Sequence, residues 1–114
     1  MLAKQNRLSA QKDYDLIFKK GQVYFSPFFN VRVAGLVVGP SRFGIVTPTS
    51  LSKKAVARNL IKRRIRVIIF KNLAKFKDNL SIAIYTKPAS LNLDSSSTEK
   101  ELFYLFKKAA IIKT

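Results

Sequence analysis

The sequence predicts an α+β fold: one α/β sandwich of 114 residues in the order α-β-β-β-α-β-α, with helices packed on a mainly antiparallel sheet. Three observations predict it. Apolar residues make up 47% of the chain, enough for one core at this length but not for several. They recur at helical spacing in some segments and as β-branched, aromatic or alternating runs in others. Gly21, Ser26-Pro27, Gly39-Pro40-Ser41, Pro48 and Lys87-Pro88 punctuate those segments with turn signals.

The elements follow in order. Residues 1–8 are expected to be a flexible lead-in. Ser9 can cap a first helix through Lys20, where Tyr14, Ile17 and Phe18 share one apolar face and Gly21 supplies the stop. Val23 to Val38 is rich in β-branched and aromatic residues and reads as one long strand interrupted at Ser26-Pro27 and near Gly35. Arg42 to Thr47 makes the next strand, ended by Pro48, which cannot donate to a ladder. Ser52 can cap a long helix through about Phe76, with no Gly or Pro inside and with Lys71 and Lys75 suiting the negative end of its dipole. Leu80 to Thr86 reads as a strand, residues 91–98 as a serine-rich loop, and Thr98 as the start of a last helix with Glu99 and Glu101 in its first turn.

Charge narrows the function. The chain carries 22 Lys and Arg against 6 Asp and Glu, a formal +16, and residues 16 to 77 hold 14 cations and no acid. Such an excess calls for a polyanionic partner. Zero His and zero Cys exclude a thiolate nucleophile, a zinc finger and a histidine base. The only close carboxylate pairs, Asp13/Asp15 and Glu99/Glu101, are two residues apart, which points them in different directions on a helix, so a protein enzyme acting alone is disfavoured. No signal-peptide core is visible and no run approaches the roughly 20 apolar residues of a membrane span, which makes cytoplasmic residence the simplest expectation.

Seven cations lie between Ser52 and Arg66. At helical spacing Lys54, Arg58, Lys62 and Arg66 form one i, i+4 row, with Asn59 beside Arg58, Arg63 flanking and Lys53 just ahead. Ile61, Ile65 and Ile68, with Ala57, fall on an adjoining face that can pack on the sheet. Arg offers a planar fork for two phosphate oxygens, Lys a mobile charge, and Asn a neutral donor for sugar or base edges, so the row reads as an RNA-contacting ridge. The same row lying on anionic lipid is disfavoured because its apolar face is required by the core. Unpaired bases also stack on exposed rings. Tyr14 and Phe18 are the favoured platforms, since a short surface helix beside a sheet can wall a cleft.

The run Lys54-Ala-Val-Ala-Arg58-Asn59-Leu-Ile-Lys62-Arg63-Arg-Ile-Arg66 closely resembles the signature helix of the bacterial ribonuclease P protein component. Arg7-Leu8, then Tyr14, Ile17, Phe18 and Gly21, together with Ser26-Pro27-Phe28-Phe29, Arg42-Phe43-Gly44-Ile45 and Lys87-Pro88-Ala89, are similar to other segments of that family. The resemblance spans nearly the whole chain. It implies a protein subunit, itself noncatalytic, of an endoribonuclease whose large RNA subunit performs the Mg²⁺-dependent cleavage that frees the mature tRNA 5′ end. The implied partners are that catalytic RNA and precursor tRNA, with no membrane and no small-molecule substrate. Mg²⁺ would enter through the RNA subunit, with no metal held by the protein alone.

By position, Lys53, Lys54, Arg58, Asn59, Lys62, Arg63 and Arg66 would contact RNA, and Tyr14 and Phe18 would line a cleft for the single-stranded 5′ leader. The resemblance also implies a left-handed βαβ crossover, against the usual preference. The departures are Leu60 in place of a second Arg, Pro48-Thr49-Ser50 in place of Ser-Lys-Lys, Lys53 in place of Gly, and Arg64 in place of an aliphatic residue, with Lys53 and Arg64 restoring some charge. The alternative is a noncatalytic ribosome-associated or RNA-chaperone-type protein using the same ridge without a leader-specific cleft.

Overall fold

The computed structural model describes residues 4–8, 11–35 and 39–113. Its four strands, β1 (Gln22–Phe25), β2 (Phe29–Ala34), β3 (Arg42–Val46) and β4 (Ser81–Thr86), form one sheet in the spatial order β1-β2-β4-β3. With α1 (Gln11–Lys20), α2 (Ala55–Lys71) and α3 (Ser95–Lys108), the order is the expected α-β-β-β-α-β-α. The β1–β2 and β2–β4 pairs are antiparallel, and β3–β4 is parallel, so α2 is the crossover between two neighbouring strands.

Register assigns alternate residues to opposite faces. One rung runs Tyr24, Val31, Ile84 and Ile45 across the four strands, and the next runs Val23, Arg32, Ala83 and Gly44. The first kind of rung packs under α2 and α3: Ile61, Ile65, Ile68 and Ile69 of α2 and Leu102, Leu105 and Phe106 of α3 join Phe29, Val31, Ile82 and Ile84 in the main core. The opposite face receives α1. Ile17 is that helix's one buried residue, packed with Leu8, Ala34 and Ala83 in a small second core. Gly21 ends α1 as expected: its N–H reaches the Ile17 carbonyl at 2.8 Å, and a Cβ there would overlap that oxygen.

The break at Ser26-Pro27 is real and has a cause. Ser26 Oγ accepts from the backbone N–H groups of Phe28 and Phe29 at 3.2 and 3.1 Å, turning β1 into β2. The expected cap at Ser9 and the expected strand residues 36–38 lie outside the described residues. Residues 4–8, expected as a lead-in, make a short 3₁₀ turn (Lys4–Asn6) and a bridge from Arg7 to Phe43, with Leu8 buried.

Both ends of α2 differ from expectation. Ser52 does not cap α2; Lys54 holds the N-cap position without a side-chain bond, while Ser52 Oγ accepts from the Lys54 N–H. α2 stops at Lys71 rather than near Phe76. The Asn72 amide donates to the Ile68 carbonyl at 2.8 Å and to Glu99 Oε2 at 2.9 Å, which terminates the helix. A 3₁₀ turn, Leu73–Lys75, then swings Phe76 inward onto Phe43 and Phe106. Lys75 therefore does not serve the end of α2.

The loop expected over 91–98 and the helix start at Thr98 are also corrected. A 3₁₀ segment covers Pro88–Asn92, and α3 begins at Ser95 because Asp94 is its N-cap, accepting from the Ser97 N–H at 2.7 Å. That bond holds the Asp94 carboxyl below its ordinary pKa. Glu99 consequently sits beyond the first turn, where it pairs with Lys71 at 3.5 Å.

Candidate RNA interface

Because β3 is an edge strand, its outer margin is available to a ligand. The Arg7–Phe43 bridge covers its first half. Beyond that point Tyr14 of α1 stands on one side and Lys62 and Arg66 of α2 on the other. Two adjoining cavities result, of about 100 Å³ (Arg7, Tyr14, Gly44, Ile45, Lys62, Arg66) and about 410 Å³ (Gln11, Tyr14, Ile45, Val46, Lys62, Tyr85). Tyr14, Ile45 and Lys62 line both, so they read as one groove.

Tyr14 is fixed by its surroundings. Its hydroxyl donates to the Leu8 carbonyl at 3.2 Å, and its ring end lies where a Cβ on Gly44 would be. Only glycine at that β3 position lets the ring lie so low on the sheet. Burial raises the Tyr14 pKa above its ordinary value, Tyr85 raises it further, and Arg66 opposes both. The phenol is therefore held neutral beside cations.

From Tyr85 the sheet face continues past α1 toward β1, where Phe25 is exposed. Arg32 stacks over the Phe18 ring, 4.3 Å from its centroid, and lies 5.9 Å from that of Tyr85. Its Nη1 also donates to the Phe18 carbonyl at 3.5 Å. The neighbouring rung is Phe25, Asn30, Tyr85 and Val46. Asn30 Oδ1 is buried there with no hydrogen-bond partner among the described residues. Lys87 closes the far end, its Nζ donating to the Ser26 carbonyl at 2.6 Å and standing 5.8 Å from the Phe25 ring. Aromatic planes alternating with cations suit a single-stranded polyanion whose bases stack.

The expected RNA-contacting residues do not all meet. Lys62, Arg66 and Tyr14 share the groove. Arg58 is half-buried and pinned by Nη1 to the Ser52 carbonyl at 2.6 Å. Lys53, Lys54, Asn59 and Arg63 are exposed on or just ahead of α2, outside the groove lining. Phe18, 62% exposed, stands apart from Tyr14 at the Arg32 end. Arg64, expected to restore charge, instead donates to the Leu93 carbonyl at 2.7 Å and ties α2 to the segment before α3. Arg7, Arg32, Tyr85 and Lys87 were not among the expected RNA-contacting or cleft residues. Tyr85 and Arg32 carried a signal: each interrupts a run of apolar residues, Ile82-Ala83-Ile84 before Tyr85 and Val31 and Val33 on either side of Arg32.

Fold and surface together define a class: small, strongly basic α+β proteins that join a cationic helix to an aromatic groove on a half-covered sheet. The chain belongs to the ribonuclease P protein family, whose model, described as Ribonuclease P, matches residues 2–110. It is similar to the ribonuclease P protein component of Finegoldia magna (32% identity, covering 94% of this chain and 93% of that one) and of Bacillus pumilus (36%, 96% and 92%). Its fold matches the RNase P protein of Thermotoga maritima with a TM-score of 0.81 at 27% identity, covering 90% of this chain and 96% of that one. An RNase P protein of Staphylococcus aureus superposes with a TM-score of 0.85 at 22% identity (95% and 98%). Ribonuclease P protein components work with an RNA subunit as part of an endoribonuclease holoenzyme that processes tRNA.

Proposed function

We propose that this chain binds the catalytic RNA of ribonuclease P through the α2 ridge and holds the single-stranded 5′ leader of precursor tRNA along the groove and the open sheet face. One observation carries the reading: Lys62 and Arg66 belong to the ridge and also wall the groove, so RNA on the ridge and a strand in the groove would be neighbours. Arg66, Lys62 and Arg7 would take phosphates, and Tyr14, Tyr85, Phe18 and Arg32 would offer faces to bases. Mg²⁺ held by the RNA subunit would supply the phosphodiester chemistry. The chain's own residues bind and orient.

The test is cleavage of precursor tRNA by a bacterial ribonuclease P RNA at low Mg²⁺. Adding the chain should raise the rate, while the chain alone cuts nothing. Lys62→Ala and Arg66→Ala should each lower the salt slope of RNA binding by roughly 0.7–0.9. Stimulation no greater than that from an unrelated basic protein would sink the proposal.

A further inference from the structure

The α2 helix has a second apolar face that the core does not use. Val56, Leu60, Val67 and Phe70 are 80%, 53%, 37% and 49% exposed. With Arg63 they follow one another in steps of four, three, four and three residues, which places them in one row roughly opposite Ile61, Ile65, Ile68 and Ile69. The row is about 21 Å long at 1.5 Å per residue. It is a crest of apolar side chains on a helix without a single acidic residue.

The two flanks of this crest differ. On one side lie Asn59 and Arg66, exposed, with Arg63 inside the row itself. On the other side the cations are already engaged: Arg64 by the Leu93 carbonyl and Lys71 by Glu99. A helix lying on lipid is served by free cations along both flanks, whereas here they line only one. A second copy of a chain carrying +16 would bring like charge against like charge. The one-sided pattern fits an irregular stretch of RNA, which can present phosphates on one side and unstacked bases or riboses on the other. The crest is also continuous with the ridge already assigned to RNA.

Resting on that reading, we infer that Leu60, Val67 and Phe70 form an apolar contact surface for unpaired nucleotides of the RNA subunit, with Arg63 and Arg66 taking the adjacent phosphates. Such a contact adds affinity that salt does not screen.

The experiment measures binding of the chain to the ribonuclease P RNA of Bacillus pumilus across a salt series. The double substitution Leu60→Ala/Val67→Ala should weaken binding about tenfold at every salt concentration, with the slope unchanged, because only apolar area is lost. Arg63→Ala should instead lower the slope by roughly 0.7–0.9. Urea unfolding of both variants confirms that each is folded, as expected for exposed positions. Wild-type affinity in the double variant overturns the inference while leaving the ridge reading intact, provided that Arg63→Ala still changes the slope. A double variant that binds RNA normally but no longer sediments with phosphatidylglycerol vesicles, or no longer dimerises, also overturns it and reassigns the crest. If the unsubstituted chain binds no better than an unrelated basic protein, the ridge reading itself has failed.

Discussion

The two faces of the sheet are made from the same four strands and do opposite work. On the face under α2 and α3, Val31, Ile82 and Ile84 have no exposed surface, and the one buried hydroxyl of β4 on that side, Thr86, is spent on the Val46 carbonyl at 3.0 Å. On the face under α1, a ten-residue helix buries a single side chain and leaves Arg32, Tyr85 and Phe25 reachable. Alternation by one residue along a strand thus divides the packed core from the open face: Ile84 belongs to the core and Tyr85, its neighbour, lines the groove. A sheet covered fully on both sides would be more stable and would have no place to lay a strand of nucleic acid.

The largest effect should come from the closed face. Ile84→Ala is expected to cost about 2–5 kcal/mol of stability, read from urea unfolding, because it opens a cavity in a close-packed core. A loss well below 1 kcal/mol would mean that this face is not packed more tightly than the other. On the open face, Arg32→Ala should change stability by no more than about 0.5 kcal/mol. Its cost should appear in binding of a single-stranded leader oligonucleotide, weakened by roughly 1.5 kcal/mol in an anisotropy titration. If Arg32→Ala unfolds the chain instead, the division between the faces collapses.

The smallest effect concerns Tyr14, which stands on the boundary between them. Its pKa is raised by burial above the ordinary 10.0, so the fold favours the neutral phenol. That contribution is complete below pH 10.0 and is lost as pH rises through the folded value. Thermal unfolding should therefore show an alkaline loss of stability in the wild type that is smaller in Tyr14→Phe. Identical alkaline profiles would place Tyr14 with the solvent-facing residues.

Much of this division could be read from the residues in order. The strand break at Ser26-Pro27, the stop at Gly21 and the isoleucine face of α2 are local signals, and each produced the element it suggested. What depends on contacts between distant segments was not legible. Asn72 is an ordinary residue until Glu99 comes beside it, and only then does it end α2. Thr98 was read as the start of the last helix, but Asp94 caps it four residues earlier by accepting from the Ser97 N–H. Tyr85 came to line the groove, and Arg32 the open face beside it, through cross-strand register, which no single segment contains. The outward crest of α2 was available in principle, since Val56, Leu60 and Val67 are as periodic as the isoleucines. It was hidden because an apolar stripe on a helix is ordinarily credited to the core.

The strand order β1-β2-β4-β3 has a further consequence, for the way the chain assembles. The last strand in sequence occupies an interior position, between two strands made much earlier. During synthesis β2 and β3 therefore remain unjoined until residue 86 is available, each with an open edge on the side where β4 belongs. Final closure requires non-local pairing across the whole length of α2, the kind of step that slows folding and lengthens exposure of unpaired edges. The sheet is completed from its middle, so the helix that carries the ridge must be spanned before the surface beneath the groove exists.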